Sequence, residues 1–236
     1  KDQSYYASLL SSKYAEYDKN IIHYYYSSLN TPPAIYSVDL LSDKSLKVWQ
    51  KEIINFDESE YEIKRLFNEV RDGTMVPSTL VYKKGNDFKR PILFYGYGSY
   101  GNNTESSFRE SLIPLLNRGF IIAYLNIRGG GEMGKYWYEE GRMLNKMNTF
   151  FDFNDSVKAL LEKGYGDKKN VFARGGSAGG LLMGAIINLE PELYSGVISG
   201  VPFVDVLTTM SDPTIPLTTF EYDEWGNPDN YDEYFY

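Results

Sequence analysis

The sequence predicts an α/β protein: a mostly parallel, doubly wound sheet with helices on both faces, preceded by a separate run of strands. Three observations carry that expectation. From about residue 91, short apolar strands alternate with stretches of helical spacing. The strand-like segment Phe120–Asn126 is apolar almost throughout rather than at every second position, as strands covered on both faces are. A third strand runs into a glycine-rich turn that opens a strongly apolar helix.

The elements follow in order. Residues 1 to about 55 read as short strands at Ile21–Leu29, Ala34–Asp39 and Leu46–Ile54. Turns at Asn30-Thr31-Pro32-Pro33 and Ser42-Asp43-Lys44 separate them. So few strands cannot bury both faces, so they are expected to belong to a larger β structure. Tyr24-Tyr25-Tyr26 is the densest cluster of the 22 tyrosines, and aromatic rings suit a sheet surface, so a binding platform is the weaker reading. Phe56–Tyr61 is a polar connector. Glu62–Val70 and Ser78–Lys83 resume the strand pattern, and Arg71-Asp72-Gly73-Thr74 between them carries the Asp-Gly hairpin signal. Ile92–Tyr95 is a short apolar strand. Phe108–Asn117 has helical spacing and stops before Gly119. Thr149 is placed to cap a helix from about Phe150 to Lys163, with Phe151, Phe153, Val157, Leu160 and Leu161 on its apolar side. Asn170–Arg174 is a strand, Ala178–Asn188 an apolar helix, and Gly196–Phe203 a further buried strand.

The 236 residues carry a formal charge of −8. That balance argues against a nucleic-acid partner, which needs Lys and Arg to neutralise phosphates, and is compatible with a cationic substrate. There is no Cys, which excludes disulfides, thiolate catalysis and Cys-ligated metals and fits a reducing, cytoplasmic compartment. No metal or cofactor is called for. Apolar runs such as Gly119–Leu125 are far too short to span a bilayer, so no membrane partner is expected. No charged-then-apolar leader opens the chain, and a start at Lys1 reads as a fragment or a processed chain.

The sharpest chemical signal is Gly175-Gly176-Ser177-Ala178-Gly179-Gly180. It satisfies G-x-S-x-G with a strand before it and a helix after it, the context of a nucleophile elbow. The reasoning is steric: the serine sits on a tight turn, and Gly175 and Gly179 remove side chains where strand and helix meet. Ser177 then projects above the sheet edge, and the Ala178 N–H lies at a helix N-terminus, aimed at a developing oxyanion. No Lys-Ser/Thr pair follows the glycines, which excludes a P-loop. The bland alternative is a structural glycine turn. A nucleophilic serine also needs a base. His23, the single His, falls in a strand pattern well before Ser177, whereas this hydrolase class runs Ser, then acid, then His. Asp205 is better suited to shaping a loop than to serving as the acid. Acid and base are therefore expected beyond Tyr236, and the chain is expected to be a truncated piece.

Five motifs then extend the reading: Tyr95-Gly96-Tyr97-Gly98-Ser99-Tyr100-Gly101, Arg128-Gly129-Gly130-Gly131-Glu132-Met133-Gly134, the GGSAGGLLMG run of Gly175–Gly184, Val201–Met210, and Glu224-Trp225-Gly226-Asn227-Pro228. In this order the chain resembles the prolyl oligopeptidase family of serine peptidases along nearly its whole length. Ala178 after the serine resembles the branch that cleaves after basic residues, since Asn is usual in the post-proline branch. The resemblance implies an α/β-hydrolase domain over residues 56–236, preceded over residues 1–55 by the last strands of a β-propeller. It implies Ser177 as nucleophile and the Ala178 N–H and Tyr97 hydroxyl as oxyanion donors. It further implies hydrolysis of short peptides after Arg or Lys, with Glu221 and Asp223 in the first basic pocket and Glu105 and Ser107 at a second. Asp223 stands where Glu is common, and Ser107 where Asp is usual, which weakens a dibasic preference. A guanidinium needs a carboxylate fork to compensate its desolvation, and two acids two apart on an extended segment share a face. The alternative there is a solvated acidic loop. Arg128 is open between positioning substrate and bridging domains. Alternatives for the whole are a post-proline peptidase or esterase of the same fold, or a non-catalytic fragment.

Overall fold

The computed structural model describes residues 4–10, 19–85, 89–104 and 106–236. Its strands are β1 (Tyr5–Leu9), β2 (Ile21–Ser28), β3 (Ala34–Asp39), β4 (Lys44–Gln50), β5 (Tyr61–Glu69), β6 (Met75–Lys83), β7 (Ile92–Tyr95), β8 (Ile121–Leu125), β9 (Val171–Gly176) and β10 (Gly196–Gly200). Its helices are α1 (Ile113–Asn117), α2 (Lys135–Glu139), α3 (Lys146–Glu162), α4 (Ala178–Leu189), α5 (Val206–Met210), α6 (Tyr222–Trp225) and α7 (Tyr231–Phe235). Two sheets result, one ordered β1-β2-β3-β4 and one ordered β10-β9-β7-β8-β6-β5. By contacts the chain forms two compact units, Lys1–Arg65 with Thr79–Asn86 and Glu105–Gly119, and Leu66–Ser78 with Asp87–Thr104 and Phe120–Tyr236.

In the first unit, β1 to β4 form an antiparallel meander. Its tyrosines pair across strands, Tyr5 stacking on Tyr26 and Tyr24 on Tyr36 at ring separations of 5.6 and 5.2 Å. Such cross-strand aromatic pairs stabilise a sheet by roughly 0.2–1 kcal/mol each. β1 was not foreseen, and β4 starts and ends earlier than Leu46–Ile54. The helix expected over Phe108–Asn117 is broken: Glu110–Leu112 is a 3₁₀ turn, and α1 begins only at Ile113. Pro114 explains this, since it lacks an N–H and is tolerated only in a helix's first turn.

In the second unit, β7 pairs in parallel with both β8 and β9, and β9 in parallel with β10. All five residues of β8 are buried, as an apolar run covered on both faces should be. Phe94 on β7 meets Phe153 on α3 edge to face, and Val157, Leu160, Leu182, Met183 and Ile186 complete this core. Each such side chain contributes about 1.5–3 kcal/mol on burial. α3 starts four residues before the expected Phe150. Thr149 is therefore not a cap but a buried helix residue, and its hydroxyl donates to the carbonyls of Arg128 and Gly141. β10 is shorter and more exposed than expected. It ends at Gly200, with Ile198 58% and Val201 88% exposed. It is the last strand in its sheet's order, so only one edge is paired, and Pro202 cannot continue a ladder.

Arg128 is occupied structurally rather than by substrate. Its Nε and Nη2 fork onto the fully buried Asp152 of α3 at 2.9 and 2.6 Å, and its Nη1 reaches Asp72 in the β5–β6 turn at 2.8 Å. Burial pushes the Asp152 carboxyl up, and the Arg128 guanidinium opposes that shift. Arg128→Met leaves Asp152 buried without a counter-ion and is expected to destabilise the protein by about 3–5 kcal/mol, read as a lower urea midpoint at unchanged slope. A midpoint within error of the unmodified protein refutes this role.

Candidate active site

Ser177 occupies the turn between β9 and α4 with φ 57° and ψ −120°. Non-glycine residues rarely adopt this conformation, and holding one there costs about 1–3 kcal/mol. The surrounding backbone leaves no alternative. A Cβ on Gly175 would stand 2.1 Å from the Gly179 carbonyl oxygen, and one on Gly179 would stand 2.8 Å from the Gly96 carbonyl oxygen. Strand, helix and the loop after β7 thus converge within contact distance only because these positions lack side chains.

Hydrogen bonds fix the bend from both sides. The Ser177 N–H donates to the Gly200 carbonyl at 2.9 Å, and the Ser177 carbonyl accepts from Gly180 at 2.8 Å and from Phe203 at 3.2 Å. The serine is exposed while Ala178 beside it is buried. Ala178 is the first residue of α4, so its N–H has no acceptor within the helix and lies at the positive end of the helix dipole. The hydroxyl is thus presented to solvent next to an unspent backbone donor.

Tyr97 lies on the loop after β7, half-buried against the first turn of α4: a Cβ on Gly179 would be 3.4 Å from its ring. Burial pushes the phenol's pKa up, a hydrogen bond with the Asn102 side chain opposes this, and the charges of Glu224 and Glu221 add to the rise. At neutral pH the phenol therefore keeps its proton, as a hydrogen-bond donor must. Rings continue outward from it. Tyr97 neighbours Tyr100 at 6.5 Å, Tyr100 meets Trp225 at 5.8 Å and bonds its indole N–H at 3.0 Å, and Trp225 meets Phe203 at 5.1 Å.

The acids are arranged otherwise than expected. Glu221 and Asp223 are not on an extended segment: Glu221 is the N-cap of α6, and Asp223 lies one residue inside that helix. At helical spacing, residues two apart do not share a face. Glu221 is half-buried and Asp223 exposed. The buried acid is Glu224, whose Oε1 accepts from the Tyr100 N–H at 2.9 Å and whose Oε2 accepts from the Tyr138 hydroxyl at 2.7 Å. Glu105 lies outside the described residues. Asp205 caps α5 by accepting from the Thr208 N–H at 3.3 Å, and His23 lies in β2, opposite Ser37. Among the described residues no cluster of three or more His, Asp or Glu is placed to hold a metal.

Two residues at this site were not picked out from the sequence, Glu224 and Lys146. The first lay inside a quoted motif without a role. The second is the first residue of α3, four residues before the expected helix start, so the sequence held no signal for it.

The geometry matches known proteins. The model of the prolyl oligopeptidase family matches residues 106–236. The chain is 46% identical to dipeptidyl aminopeptidase BI of Pseudoxanthomonas mexicana over 100% of its own length and 33% of the relative's, and 42% identical to protease 2 of Moraxella lacunata over 93% and 32%. Among solved structures it is similar to oligopeptidase B from Trypanosoma brucei with covalently bound antipain, with a TM-score of 0.92 and 41% identity over 99% of this chain and 33% of that one. Oligopeptidase B from Leishmania major gives the same TM-score at 40% identity. The chain thus spans about a third of the length of the relatives it matches. The expected α/β-hydrolase fold and the expected kinship are both borne out. With a family model matched over more than half its residues, the chain belongs to the prolyl oligopeptidase family of serine peptidases.

Proposed function

We propose that the whole protein is a cytoplasmic oligopeptidase that hydrolyses short peptides after Arg or Lys through an acyl-enzyme on Ser177. The observation that carries this reading is the exposed serine at φ 57° beside the unspent Ala178 N–H. The Ser177 oxygen attacks the scissile carbonyl as a His outside this chain takes its proton, and a tetrahedral oxyanion forms. The Ala178 N–H and the Tyr97 hydroxyl donate to that oxyanion; a neutral phenol does so without adding charge to the ground state. The His then protonates the leaving amine, and water releases the acid product. The triad Asp also lies outside this chain. Residues 1–55 supply the last strands of a β-propeller that restricts access to short peptides, and 56–236 supply the first part of the catalytic domain.

Glu221 provides the anionic end of the pocket for the substrate's basic side chain, with Asp223 contributing at longer range and Glu105 serving a further basic residue. The net charge of −8 favours such substrates and disfavours nucleic acid. A cytoplasmic location is supported by the absence of Cys. Among the described residues no helix is long and apolar enough to cross a membrane. A second reading, a post-proline peptidase or esterase, draws on one specific observation: the helical turn separates Glu221 from Asp223, while the rings of Phe203 and Trp225 stand close together at 5.1 Å.

In the whole protein, Ser177→Ala should abolish covalent labelling by a fluorophosphonate, and residual labelling at an undiminished rate removes Ser177 from the mechanism. Glu221→Gln should lower kcat/KM for an arginyl ester by about tenfold or more, as expected for losing a charge-assisted bond, while an apolar ester loses less than about twofold. Equal losses for both esters favour the second reading instead.

A further inference from the structure

The loop that carries Tyr97 is held by a buried cation. Lys146 opens α3 and is 7% exposed. Its Nζ donates to the Gly98 carbonyl at 2.6 Å, the Ser99 hydroxyl at 2.7 Å and the Gly141 carbonyl at 3.1 Å. An ammonium has three protons, and all three are used, on neutral acceptors. Two of those acceptors belong to the residues that directly follow Tyr97. The third lies in the turn after α2, which the Thr149 hydroxyl also holds. The same ammonium stands 5.1 Å from the Trp225 ring. Glu224 faces it from α6 while occupied by the Tyr100 N–H and the Tyr138 hydroxyl, so the loop is bound from two directions by ionisable groups that do not bond each other.

A buried cation that bonds no carboxylate is an expensive way to brace a turn. A methionine would fill the volume without desolvating a charge. What the ammonium adds is direction: three convergent bonds set the path of Gly98 and Ser99, and hence the position of the preceding phenol relative to Ser177. An oxyanion donor is effective only when it points at the place the charge develops, and a misplacement of about 1 Å costs up to about 10²-fold in rate.

We propose that Lys146 is a positioning residue for catalysis: its three hydrogen bonds fix the Tyr97 loop so that the phenol meets the oxyanion formed at Ser177. The inference rests on the reading of Ser177 as nucleophile and Tyr97 as donor. Lys146 acts through Tyr97 and touches no substrate, so its effect must vanish when the phenol is gone.

The experiment is a double-mutant cycle in the whole protein, with kcat and KM measured on an ester substrate. Tyr97→Phe alone should lower kcat by about 10²- to 10³-fold. Lys146→Met should lower kcat by about 10- to 10²-fold with KM within about twofold, and should cost less than about threefold when added to Tyr97→Phe. Ser99→Ala, which removes one acceptor and leaves the cation in place, serves if Lys146→Met does not fold; it should lower kcat by about threefold, again only when Tyr97 is present. If Tyr97→Phe costs its full share but the second substitution costs the same in both backgrounds, Lys146 is merely structural and the proposal fails alone. If Tyr97→Phe leaves kcat unchanged, the reading of the phenol fails and takes the proposal with it.

Discussion

The approach of Gly175 to Gly179 is the constraint on which the rest of this site depends. One backbone passes another so closely that even a methyl group would stand 2.1 Å from a carbonyl oxygen. The strand must then turn sharply into the helix, and Ser177, at φ 57°, is the residue that absorbs the bend. Its exposure and the free N–H of Ala178 follow from the same geometry. So does the proximity of the Tyr97 loop, because Gly179 also clears space for Gly96 and Tyr97. No one of these features can be moved while the others stay.

Around that contact the protein uses charge in two ways. Arg128, Asp152 and Asp72 form an ion-paired cluster in which a guanidinium fork meets a buried carboxylate, and this cluster joins α3 to the β5–β6 turn. Lys146 and Glu224 are different, since each binds neutral groups on the loop after β7. An ion pair fixes two elements to each other. Separate charges that bond backbone carbonyls and N–H groups fix the path of a loop, and that is what a donor aimed at a transient charge requires.

Much of this was legible beforehand, and the gaps have physical causes. β8 was readable because all five of its residues are buried and apolar, and β9 and α4 because they flank the glycine-rich serine turn that fixes where one ends and the other begins. The serine turn was readable because its steric demand leaves glycine as the only residue that fits at two fixed positions. The short helices α2, α5, α6 and α7 were not readable. Each is four or five residues long, too short to show a period; α5 and α7 are capped by the Asp205 and Asn230 side chains, while α2 and α6 have no side-chain cap. The missed helix at α6 is what misled the reading of Glu221 and Asp223 as a pair on one face. Lys146 escaped because nothing local distinguishes a lysine that will be buried from one that will be solvated.

The site also sets its own cost. Ser177 holds a conformation worth about 1–3 kcal/mol against folding. Burial pulls the Lys146 pKa down from the usual 10.5 to about 8, which Glu224 only partly offsets. A depression of that size corresponds to about 3 kcal/mol of disfavoured charge. Its sign is opposite to that of an ion-paired lysine. Below about pH 8 both folded and unfolded chains carry the proton, and the full penalty opposes folding. Between there and the unfolded value the native state releases a proton that the unfolded state keeps, so this group's penalty shrinks as pH rises. A residue kept charged at neutral pH, where its charge is most costly to the fold, is kept for what the charge does: three donors are needed to hold the loop, and a neutral amine supplies only two.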